Sequence, residues 1–79
     1  MIRNSITRDF NEEFPLGSLM HFNHNGTEAV LVNLGLNADN MIKFYILLHR
    51  WSNNHNFTEH QGKISWDSLD YIAPHLKRI

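Results

Sequence analysis

Met41-Ile42-Lys43-Phe44-Tyr45-Ile46-Leu47-Leu48-His49-Arg50-Trp51 decides how this chain folds, because no other stretch of its 79 residues is as apolar. With a period of two, Ile42, Phe44, Ile46 and Leu48 form an apolar face, and Lys43, Tyr45, Leu47, His49 and Trp51 form a mixed one. As a helix, Asp39 or Asn40 would cap the run, Met41, Phe44, Tyr45 and Leu48 would face inward, and Lys43 and Arg50 would share the outer side. The density of aromatic and Ile residues favours the strand. Ile46 is expected to be a core position.

Upstream, Leu19-Met20-His21-Phe22 and Glu28-Ala29-Val30-Leu31-Val32-Asn33-Leu34 flank His24-Asn25-Gly26-Thr27. Asn-Gly is the dipeptide best suited to the positive φ angles of a two-residue hairpin turn. Ala29 to Val32 is apolar at every position, the pattern of a strand covered on both sides. Gly35-Leu36-Asn37-Ala38-Asp39-Asn40 is turn chemistry leading into the long run. Nearer the N-terminus, Phe14-Pro15-Leu16-Gly17 breaks any helix, which leaves residues 1–13 as an arm whose Ile2, Ile6 and Phe10 share one face at helical spacing.

Downstream of Trp51, residues 52–62 read as a polar connection holding Phe57, and Lys63-Ile64-Ser65 as a short returning strand. Ser65 is placed to cap a helical turn through Trp66 to Ile72, with Asp67 and Asp70 near its positive end, before Pro74 blocks continuation. The expected fold is mainly β: a small SH3-like, strongly bent antiparallel sheet or partly closed barrel with a short C-terminal helical turn. A compact α+β domain with residues 41–51 helical is the alternative. The division is a 1–13 arm and a single globular domain over 14–79.

Asn25-Gly26 at a first hairpin, followed by Phe44-Tyr45-Ile46-Leu47-Leu48 in a later strand, resembles the order in bacterial Sm-like RNA chaperones over a short part of the chain. The chain lacks the basic and Gly-rich features those proteins use for RNA.

Composition narrows the function classes. A formal net charge of −1 with scattered bases argues against a dedicated binder of phosphate backbone. The absence of Cys removes disulfides and thiolate metal sites, so the core or a partner subunit must supply stability. No signal peptide and no apolar run long enough to span a membrane is evident, and the expectation is a cytoplasmic protein, complete from its initial Met.

Six His residues are the first candidates for chemistry. His21-x-x-His24 and His55-x4-His60 have tolerable spacing for zinc, but only Glu28 and Glu59 lie near as further ligands, so no metal site or cofactor is expected. Asp67 and Asp70, three apart, are explained by capping and helix-dipole roles rather than as an acid and base. Nucleophile elbows, His-Glu-x-x-His and phosphate-cradling Gly loops are missing, and an enzyme is not expected. Aromatic residues could stack nucleic-acid bases, yet no electropositive track accompanies them.

Protein recognition remains, carried by Arg50 and Trp51 where the apolar run gives way to polar loop, together with Phe57. The expected function is a small non-enzymatic protein-binding module. Base rates for freestanding proteins of this size add an accessory regulator or inhibitor, carried by a phage or mobile element and acting on a host complex. The alternative is an oligomeric small-barrel RNA- or DNA-binding protein.

Overall fold

The computed structural model describes residues 10–37, 39–51 and 59–79. After a helical turn over residues 10–13 (α1), the chain forms β1 (Leu19–His24), β2 (Thr27–Leu36), β3 (Met41–Trp51) and β4 (Ile64–Ser68). The helical turn α2 (Leu69–Ile72), a 3-10 turn (Ala73–His75) and β5 (Leu76–Arg78) complete it. The strands make one five-stranded antiparallel sheet in the order β4-β3-β2-β1-β5. The two outer strands do not pair with each other, so the sheet is open. Residues 41–51 are strand throughout, which removes the α+β alternative.

The β1–β2 hairpin turns at Asn25 and Gly26, whose φ angles of 49° and 80° are the positive pair that a tight hairpin requires. Asn37 shapes the next turn, where its Oδ1 accepts the N–H groups of Asp39 and Met41.

One face of the sheet carries the core. Met20, Ala29, Leu31, Ile42, Phe44 and Ile46 point into it and are covered by Leu69, Ile72 and Leu76 with Phe10 and Phe14. Asn33 joins them at 2 % exposure. Its amide Nδ2 donates to the carbonyl of Phe14 and its Oδ1 accepts the Gly35 N–H, so the segment after α1 is pinned to β2. The described part of the arm is thus docked through Phe10 and Phe14. Ile2 and Ile6 lie outside the described residues.

Two details differ from the sequence reading. The alternation of β3 breaks at Leu47: Leu31 pairs with Ile46 but Val30 pairs with Leu48, so Leu47 is the extra residue of a bulge. Leu48 therefore leaves the apolar face and is 41 % exposed, against 7 % for Ile46. Ser65 does not cap a helix. Pairing with β3 carries the strand on to Ser68, which takes the N-cap position without a side-chain bond, and Pro74 sits in the following 3-10 turn. Asp67 consequently belongs to β4 and Asp70 to α2, not to one helix.

Candidate functional site: the outer face of the sheet

Residues alternating with the core positions point to the opposite face, and the strand register fixes their neighbours. Ile64 stands opposite Tyr45, Tyr45 opposite Val32 and Val32 opposite Leu19, an apolar row crossing four strands. Ile79, whose N–H donates to the Leu19 carbonyl, extends it past β1. Leu48 and Val30 start a parallel row that ends in His21 and Lys77. Trp66 stands opposite Lys43 in a third, with the Lys43 ammonium 5.3 Å from its ring centroid. Exposures of 43 % for Leu19, 49 % for Trp66, 56 % for Ile64 and 67 % for Ile79 mark this as an apolar surface that no described part of the chain covers.

Along one side of the rows runs a charged set. Glu28 Oε2 accepts from His21 Nε2 at 2.8 Å, while Glu28 Oε1 accepts from Arg50 Nε and lies 2.7 Å from Nη2. These groups tie β1, β2 and β3 together across the surface. The hydrogen bond from His21, then that from Arg50, holds the Glu28 carboxyl below its ordinary value. Lys43 and Lys77 are further charged side chains among the described residues of this face.

Of the recognition residues expected from the sequence, Arg50 and Trp51 fall on opposite faces of the sheet. Arg50 lies on the outer face, bound to Glu28. Trp51 points to the other side, where its ring meets His49 edge-on at 6.1 Å, and it is 45 % exposed. Phe57 lies outside the described residues. The His21 and His24 pair parts in the same way. His21 faces outward to Glu28, whereas His24 stacks on His75 at 3.8 Å beside Phe22 and Tyr71. His55 lies outside the described residues. Among the described residues no group of three or more His, Cys, Asp or Glu side chains could hold a metal ion, and no helix is long and apolar enough to cross a membrane.

Sequence reasoning missed this surface, although its signal was present. The doubly apolar run Ala29 to Val32 announces a strand covered on both sides, and within the described chain only the inner side is covered.

Comparison with protein-family models, curated proteins and solved structures returns no match. The surface itself is therefore the guide to function.

Proposed function

We propose that the protein is a non-enzymatic protein-binding module that docks through the outer face of its sheet. The observation that carries this reading is the unbroken apolar row Ile64, Tyr45, Val32, Leu19 across four strands. Contiguous exposed apolar surface of this kind is costly to leave in water and is characteristic of interaction sites. The occupant is another protein presenting an apolar ridge with carboxylates beside it, because Lys43 and Lys77 flank the rows and the acidic side chain of the described face, Glu28, is already paired. A module of this kind acts by occupying its partner's surface, as an accessory regulator or inhibitor does.

Nucleic acid fits less well. Tyr45 and Trp66 could each stack a base. The row between and beyond them is aliphatic, however, and aliphatic side chains offer bases no π surface. Capture from native extract, repeated after nuclease treatment and across a salt series, separates the two. A protein partner retained through both treatments by the wild type and lost with Ile64→Lys supports the module. Loss of all binding with nuclease, or affinity falling steeply with salt, contradicts it.

A further inference from the structure

The inner side of the open sheet holds a cavity of about 220 Å³ that the core does not fill. Among the described residues, Phe22, Ala29, Leu31, Phe44, Ile46 and Ile72 form its apolar walls, and His49, His60, Ser65 and Asp67 are its polar groups. An apolar cavity of roughly 150 Å³ accepts a benzene ring, so this one has room for a ring with a short side arm.

The polar groups are held in place by backbone. Asp67 and Ser65 are inward positions of β4, opposite Ile42 and Phe44 of β3. His49 is the inward residue of β3 opposite Ala29. His60 lies in the turn that returns to β4, anchored where Gly62 N–H donates to the Ile46 carbonyl at 2.7 Å and Ile46 N–H donates to the Lys63 carbonyl at 2.8 Å. This anchoring sets the two imidazoles edge to face, 4.9 Å apart.

Charge selects the ligand. Burial, reinforced by repulsion from His60, pushes His49 below its ordinary value, which keeps its ring neutral at neutral pH. Among the described lining residues, the acidic group is Asp67. One of its oxygens accepts the Ser68 N–H at 2.8 Å. An apolar pocket with a few convergent polar groups is the usual form of a small-molecule site.

We propose that this cavity binds a small aromatic primary amine, its ring against Phe44, Ile46 and Leu31, its ammonium on the Asp67 carboxylate, and the His49 and His60 rings along its edge. The site lies on the face opposite the protein-docking surface and does not depend on it.

The probe is 2-phenylethylamine, titrated into isotopically labelled full-length protein and followed by amide chemical shifts, with 2-phenylethanol and phenylacetate as controls of the same ring. The expected result is saturable binding near the millimolar affinity usual for so small a ligand, with shifts at His49, Ser65 and Asp67. Replacing the ammonium by a hydroxyl, or Asp67 by Asn, should weaken binding about tenfold, the worth of one charge-assisted hydrogen bond. The alcohol control needs no variant, so it stands even if Asp67→Asn disturbs β4. Absence of saturable binding, equal affinity for phenylacetate or the alcohol, or shifts confined to the outer face overturns the proposal.

Discussion

Glu28 shows how single side chains set the pH response of the fold. Its folded carboxyl titrates below the ordinary value of 4.5 because His21 and Arg50 donate to it. A lowered acid contributes stability that is fully present above its unfolded value and is lost as pH falls through the folded one. Glu28→Gln should therefore be less stable than the wild type at neutral pH, and the two should converge in strong acid. Urea unfolding at both ends of the range checks this, and a difference that does not change with pH would show that the ionised carboxylate is not what the bonds stabilise. His49 acts in the same direction higher on the scale. Its stabilising contribution is full above 6.5 and is lost as pH falls from there toward its lowered folded value. His49→Gln should flatten stability across that window in the same unfolding series. Asn33 is the buried polar residue on which the docking of the N-terminal segment depends. Asn33→Ala orphans the Phe14 carbonyl and the Gly35 N–H and should cost about 1–3 kcal/mol, measured by thermal melting.

At the scale of elements, the bulge in β3 makes a prediction that regular alternation does not. Ile46→Ala should destabilise by about 2–5 kcal/mol, whereas Leu48→Ala, two residues on but turned outward, should cost less than about 1 kcal/mol. Equal losses in denaturant melts would mean that the strand alternates without interruption. The same strand marks how far the sequence could be read. Asn25-Gly26 named its hairpin because few dipeptides tolerate two successive positive φ values, and the run from Met41 named its strand through β-branched and aromatic density. Gly26→Val should accordingly cost about 1–3 kcal/mol in the same assay. The bulge had no local signature, since Leu47-Leu48 is apolar on either face and the pairing with β2 decides which one turns outward. The end of β4 was hidden for a related reason: Ser65 is a good cap in isolation, but the ladder with Phe44 and Ile42 extends the strand before the helix begins.

For the molecule as a whole, the open sheet separates two kinds of surface. The inner side is a core with an unfilled trough at one end, and the outer side is an apolar band flanked by basic residues. The trough joins residues far apart in the chain, from Phe22 to Ile72, so only the assembled sheet reveals it. Arg50 and Trp51, sought at the end of the apolar run, fall on opposite faces, as successive residues of a regular strand do: Arg50 belongs with the band and Trp51 does not. The composition that argued for protein binding could not place residues on one face. The central claim is that the band across β4, β3, β2 and β1 is what a partner protein covers. Methyl cross-saturation from the captured partner onto labelled protein tests it most directly. Signal loss is expected at the methyls of Leu19, Val32, Ile64 and Ile79, with Leu31, Ile46 and Ile72 unaffected, whereas saturation confined to the trough methyls would rule out docking on the band.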